Sequence, residues 1–582
     1  MSEIASEAFA IPRRSALRGW LPEALFLVVT TAAGLWAGGR WLNPVADPGE
    51  WWSLIHRLNQ GETLYRDVFL QYTPLSPYLL SLLTRLFGPS SGAFLILNWI
   101  PAILLGVLIL RASRPYLTEL ERLVVVGLVI TLGIFCVGKG LLVLPYSPAA
   151  VHALVFSTAA LLYLQRRGPG RFDPYIAGGL AGLAFCCKQE IGVAAIAGLG
   201  APVLTRGRRA ASWLVPLLAT FGVLCVLGFG IALRNSSFDS LRFDNHVWPV
   251  GTLPPEWKFL SQIAAGVRIL GWPARVAGAA MALVYEIVLI GLFAMLFTGD
   301  TRVRRPLLLL LLGVLLVAGA WDGALTGKHV DPLCLSMIAA FALAGLALLN
   351  RKWPGREFVV GFGLFAGLVA ARTAFACAIG LSSFSGVANV STSLTWTLLL
   401  VCFLPKLFPG ENPAGRLTRR LWTFVLLSAA IYGAFLGIRA LRGNSLVAAV
   451  ETSRGRVWVP RQMAPFFAEL AQNLKEGERV LVLPEAKGLD ALFGLRSASP
   501  LISHLPPWLD ERAERKILER VAKVPPDAVV LFHRETWEFG VEPFGVGYGK
   551  NLARWIARNY RVVVRNPSGL VLRRQPGAAD QP

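Results

Sequence analysis

Polar and apolar positions along this chain come in long blocks. Apolar runs stand at 23–40, 92–111, 121–138, 148–165, 174–187, 190–205, 212–233, 275–298, 305–321, 333–350, 357–380, 391–408 and 420–439. A membrane span needs roughly 20 mostly apolar residues, so these runs predict about thirteen transmembrane helices, the fifth and sixth short. Every second connection is basic: Arg13/Arg14/Arg18, Arg111/Arg114/Arg122, Arg166/Arg167/Arg171, Arg206/Arg208/Arg209, Arg302/Arg304/Arg305, Arg351/Lys352/Arg356 and Lys406/Arg416/Arg419/Arg420. Lys and Arg are retained on the cytoplasmic side, which puts these loops and the N-terminus inside. The alternation holds only if 174–205 splits into two spans. The segment 41–91 and everything beyond 440 are then expected outside.

Beyond Arg442 the period changes. GERVLVLPE and DAVVLFH read as strands. GLDALFGL reads as a short helix, LDERAERKILERVAKV and YGKNLARWIARNY as amphipathic helices, and YRVVVRN with GLVLRR as a closing hairpin. The expected fold is mainly α: a polytopic helical membrane domain over 1–440 with juxtamembrane helices in its first outer loop, 41–91. A small extracytoplasmic α/β domain follows over 441–575, long enough to bury its own core, with a disordered tail at 576–582.

Composition agrees. The 582 residues are 54% hydrophobic and 16% charged, with formal net charge +22, which belongs to the multi-pass membrane class. Most of the basic residues before 440 sit in short loops between apolar runs, so the charge speaks for membrane orientation and against nucleic acid. The seven cysteines all fall in apolar runs, leaving no disulfide framework for the C-terminal domain. The first apolar run is span-length and lacks a small-residue cleavage site, so the N-terminus is not expected to be a cleavable leader.

The outward segments are 41–91, GKGLLVLPYSP (138–148), CCKQEIG (186–192), 234–274, WDGALTGKHVDP (321–332) and LSSFSGVANVS (381–391). Candidate chemistry gathers in them. Asp47 and Glu50 open a Trp-rich amphipathic helix with Trp51 and Trp52, and Asp67 follows a glycine turn. Charges beside interface-seeking helices are costly and need a reason. Asp47 also reads as a plain helix start, an acid before proline with a glutamate three residues on. Asp67, a further catalytic candidate able to orient the acceptor or the partner of Asp47, reads equally as a turn residue paired with Arg66. Lys188 and Glu190, in a turn between apolar helices, must pair with each other, with an anion or with water. Lys139, Lys328 and His329 are further cations on the same face. Tyr72, Gln189 and His246 are polar groups able to bind substrate or to serve as structural hydrogen-bonders. The aromatic and proline-rich 234–274 segment reads as an interfacial flap or as a lid without substrate contacts. No set of metal ligands stands out, and no glycine-rich nucleotide fingerprint lies between a strand and a helix.

Asp47, GETLYRD (61–67), YTPLSPYL (72–79), LFG (86–88) and CKQE (187–190), in this order and on one side of the membrane, resemble the GT-C glycosyltransferases. More specifically, the chain looks like bacterial relatives of the dolichyl-phosphate-mannose–protein mannosyltransferase and lipid A aminoarabinose transferase family. The resemblance covers about 20–440 and is sharpest over 43–90. It implies a polyprenyl-monophosphate sugar donor; a lipid, glycan or protein acceptor; inversion at the anomeric carbon; an inner-membrane location; and a first-loop Asp, here Asp47, as base. The family pattern often has Asp-Glu at this point, whereas here Pro48 and Gly49 intervene before Glu50, leaving open whether Glu50 shares the role. Some relatives use a divalent metal; no cofactor is expected from the residues themselves. On this reading Lys188 and Lys139 face the donor phosphate, while Tyr72, Gln189, Glu190, His246, Lys328 and His329 line the substrate site. A phosphate leaving group needs no general acid, so one carboxylate base and cations on the phosphate suffice. The alternative is a transporter or flippase for a lipid-linked or small solute. Against it stand the absence of an internal repeat and the position of the charges in loops instead of mid-span.

Overall fold

The computed structural model describes residues 18–40, 44, 47–135, 147–165, 170–204, 210–247, 340–341, 343–345, 347–349, 356–378, 413–485, 488–506, 508–536 and 541–575. Within these the chain is mostly helical, with a small C-terminal sheet region. The membrane part contains α1 (Leu21–Ala37), α2 (Asp47–Asn59), α3 (Leu75–Phe87), α4 (Ser91–Ser113), α5 (Glu119–Leu128, running on as a π-helical turn Val129–Ile134), α6 (Pro148–Leu161), α7 (Asp173–Cys187), α8 (Gln189–Leu204), α9 (Ala210–Asn235), α10 (Phe238–Phe243), α11 (Arg356–Ala378) and α12 (Pro413–Arg442). Four described segments are long and apolar enough to cross a membrane: Ser91–Ser113, Pro148–Gln165, Ala210–Asn235 and Thr423–Arg442. The expected spans over 275–298, 305–321 and 391–408 lie outside the described residues. The run 174–205 does divide in two, at Lys188.

Small residues set the helix crossings. A Cβ on Gly198 of α8 would come within 2.6 Å of the Gly361 carbonyl oxygen of α11, and one on Gly361 within 2.5 Å of the Gly198 oxygen. Only glycine at both positions lets these backbones touch, the usual device where lipid supplies no hydrophobic drive between helices. Arg122, counted above among loop cations, is instead buried on α5. It forms an ion pair with Glu23 of α1 and donates to the Gly19 carbonyl at 3.1 Å. A charge held this deep needs both partners.

The sheet region begins with a hairpin, β1 (Val447–Thr452) and β2 (Gly455–Pro460), then α13 (Ala464–Asn473), none of which the sequence pattern announced. The remaining elements are β3 (Arg479–Leu483), α14 (Leu489–Phe493), β4 (Arg496–Ser497), α15 (Glu511–Lys523), β5 (Ala528–Phe532), α16 (Lys550–Asn559), β6 (Tyr560–Asn566) and β7 (Gly569–Arg574), and all but the two-residue β4 match the expected series. The main sheet runs β4-β3-β5-β7-β6, parallel in its first three strands and antiparallel after β5. Val480, Val482 and Val530 belong to the apolar core shared with the helical part. Leu481, Leu483 and Val529 pack on the other face with Ile517 and Val521 of α15 and Leu552 and Trp555 of α16. This alternation is what a strand buried on both faces requires.

Candidate active site

The site is built where two helices are joined by a single residue. α7 ends at Cys187 and α8 starts at Gln189, with Lys188 extended between them (φ −151°, ψ 112°). The Lys188 amide still donates to Ala184 O at 2.8 Å, and its carbonyl accepts from Gly192 N at 3.1 Å. So tight a link points the Lys188 side chain inward, where it is fully buried. The first-loop segment 71–73 is laced to this link. Gln189 Nε2 donates to the Gln71 carbonyl at 3.2 Å, and Thr73 Oγ1 to the Phe185 carbonyl at 2.7 Å.

This lacing brings Tyr72 over Lys188. Lys188 Nζ lies 4.4 Å from the Tyr72 ring centroid and 3.5 Å from Glu190 Oε1. The Tyr72 ring in turn stacks on Trp51 of α2, centroids 5.9 Å apart at 15°. The contact chain therefore runs from α2 through Trp51 and Tyr72 to Lys188 and Glu190. Asp47 is the first residue of α2, one helical turn before Trp51, and Glu50 follows half-buried. The first-loop and KQE motifs, more than a hundred residues apart, thus share one place. A buried ammonium under an aromatic face can receive an anion such as a phosphate, with Glu190, 29% exposed at its side chain, as its resident counter-charge.

Asp67 stands apart from this group. Its carboxylate accepts from Thr63 N at 2.9 Å and pairs with exposed Arg66 at 2.9 Å. Burial pushes its pKa up, but the Arg66 and Thr63 hydrogen bonds outweigh that and hold it below the usual carboxylate range. The turn is further fixed by the Asp67 carbonyl, which accepts from Arg57 and Arg520. His246 has φ +51° beside the α10 loop. Lys139, Lys328 and His329 lie outside the described residues. Among the described residues no group of three or more His, Cys, Asp or Glu stands together to hold a metal.

Asn245, which the sequence reading passed over, is what ties the loops together. Its Oδ1 accepts from Leu70 N at 2.9 Å and its Nδ2 donates to Tyr65 O at 3.0 Å. The Tyr65 hydroxyl then donates to the Tyr72 carbonyl at 2.7 Å. The one local signal was an asparagine in FDNHVWP beside a residue that adopts positive φ. Next to it, Asp244 bonds Arg512 at 2.8 Å and pairs with Lys516, so α15 grips the α10 loop.

No family model matches this chain, and no curated protein matches it. Among solved structures it is similar to ArnT from Cupriavidus metallidurans in the apo state, with 13% identity over 96% of this chain and 98% of that one and a TM-score of 0.43. The same protein bound to undecaprenyl phosphate is similar at 14% identity over 97% and 99%, with a TM-score of 0.44.

Proposed function

We propose that this chain is an integral-membrane inverting glycosyltransferase. It moves a hexosyl or pentosyl group from a polyprenyl monophosphate to a lipid, glycan or protein acceptor on the extracytoplasmic side of the inner membrane. The observation that carries the reading is the meeting of Lys188 with Tyr72 and Trp51 at the helix that begins with Asp47. It joins the two motifs on which the GT-C resemblance rests. In this reading the cytoplasmic loops carry the arginines, 1–440 is the catalytic membrane unit, and 441–575 is extracytoplasmic.

The chemistry follows from the residue types. Asp47 takes the proton from the acceptor hydroxyl as its oxygen attacks the anomeric carbon from the face opposite the phosphate. The bond to phosphate breaks, and its electrons leave on the phosphate oxygen. Lys188 steadies that growing negative charge. Fixed and desolvated, it has no hydration shell to reorganise as the charge develops. Removing a positioned general base typically costs about 10²–10⁴-fold in rate.

The test is sugar transfer from labelled polyprenyl-phosphate sugars in membranes holding the wild type or Asp47→Asn, with insertion verified. Transfer by the wild type and a fall of about 10²–10⁴-fold in the variant is expected. Undiminished transfer would move the base to Glu50. Movement of a labelled solute across sealed vesicles without any sugar transfer would overturn the enzyme reading in favour of a transporter.

A further inference from the structure

The first turn of α2 is held from outside the membrane part. A Cβ built on Gly49 would lie 3.0 Å from Gly488 N, and one on Gly488 would lie 3.2 Å from Gly49 Cα and from Pro44 O. The two backbones touch, and Gly488 has φ +74°, a conformation costly for any other residue. Gly488 immediately precedes α14, and α14 lies along α2. At the far end of the same seam His56 Nε2 and Gln60 Nε2 reach the Leu495 carbonyl at 3.1 and 3.0 Å. Between these points sits Asp490, 1% exposed, with no hydrogen-bond partner for either carboxylate oxygen among the described residues. An unsatisfied buried carboxyl is expensive, and rules of local economy are broken mainly at functional sites. The strap after α2 is held by the same region, through Phe69 N on the Pro500 carbonyl at 2.9 Å.

We propose that the C-terminal sheet region is a seat for the catalytic helix and that Gly488 is its positioning residue. The Gly49–Gly488 contact fixes the register of the α2 first turn, and with it Asp47 and Glu50, against Lys188. The catalytic meaning of this seat rests on the glycosyltransferase reading; the mechanical one does not. A base displaced by about 1 Å loses on the order of 10²-fold in rate, so a side chain at Gly488 acts on turnover without touching substrate.

The experiment compares wild type, Gly488→Ala and Gly477→Ala in detergent or nanodiscs. Gly477 also has positive φ, +82°, but nothing lies within 4 Å of its Cβ position, so it reports backbone strain alone. Amide hydrogen exchange over 48–54 is measured without substrate, and kcat and donor KM are measured for sugar transfer. Expected for Gly488→Ala is exchange at least about tenfold faster in the α2 first turn and kcat lower by about tenfold or more, with donor KM within about twofold. Gly477→Ala should leave the α2 exchange and kcat within about twofold of wild type. Equal behaviour of the two variants would overturn the proposal. Native-state exchange of the wild type in mild denaturant is the second measurement, needed if Gly488→Ala does not fold. The α2 first turn should open in the same unit as α14, and opening independent of α14 would also overturn it. A wild type that transfers no sugar, yet shows this shared opening, would sink the enzyme reading and leave the seat standing.

Discussion

Lys188 lies fully buried with its ammonium 4.4 Å from the centre of the Tyr72 ring. This single relationship joins a turn between two apolar helices to the first outer loop. Replacing Lys188 by Met keeps the stem and removes the charge. Sugar transfer is expected to fall by about 10²–10³-fold, the usual loss for one charge-stabilising donor. The fall should be in kcat as well as in donor affinity. Transfer within twofold of wild type would show that the Lys188–Glu190 pair only closes the hairpin.

Tyr72 supplies both a ring to Lys188 and a stack to Trp51. Tyr72→Phe retains both; Tyr72→Leu loses both. A cation–π contact is worth about 0.5–2 kcal/mol, so Leu should cost at least several-fold more activity than Phe. Steady-state kinetics on the two variants decides this, and equal losses would assign the effect to the hydroxyl instead.

Asn245→Ala leaves the Leu70 amide without its side-chain partner and the Tyr65 carbonyl with only the longer bond from Ser236 Oγ at 3.3 Å. Each buried polar group left unsatisfied costs roughly 1–3 kcal/mol. The first loop should loosen first, seen as faster proteolysis within 62–72 and a lower Tm. An unchanged cleavage rate would count against Asn245 as the loop tie.

Asp67→Asn is expected to leave transfer within about threefold of wild type, because the amide oxygen can still accept from Thr63 N and the remaining partner, Arg66, is exposed. A loss of a hundredfold would restore Asp67 to the reacting groups.

The seam between α2 and α14 should respond to pH in both directions. Burial pushes the Asp490 carboxyl up to about 7, with Arg57 pulling it down and Glu62 adding to the rise. Its folded value is above the ordinary one, so its stabilising contribution is complete at low pH and is lost as pH rises through about 7. His56 is pushed down to about 4 by burial, partly opposed by the Leu495 carbonyl. His504 is pushed down to about 3, again chiefly by burial. These two resist protonation, so the fold weakens as pH falls below their ordinary value of 6.5. Two histidines outweigh one carboxyl on the acid side, and above that value only the carboxyl still titrates. Stability should therefore rise to about pH 6.5 and level off near pH 7, where the carboxyl too has titrated. Unfolding followed across pH checks this, and Asp490→Asn should steepen the acid-side rise by removing the one opposing group. A continued rise in stability above about pH 8 would contradict it.

The hydrophobic blocks by themselves determined the helical membrane class, the division at Lys188 and most of the strand and helix series after Arg442, because burial in lipid or in a sheet imposes a period that local sequence must carry. The β1–β2 hairpin was missed because it is held by contacts with the helical part, such as Trp458 Nε1 on the Gly38 carbonyl at 3.1 Å, and α13 because distant strand residues hold it, Phe466 and Phe467 packing on Phe532 of β5. The motifs marked which groups carry chemistry. They did not say that Lys188 sits under Tyr72, or that Asn245 and Gly488 hold the site's parts in place. Those were decided by contacts between segments more than 100 to more than 400 residues apart, where sequence spacing carries no geometric information. Only the tertiary packing brings such groups within a few ångströms and so fixes which of several possible partners each one has.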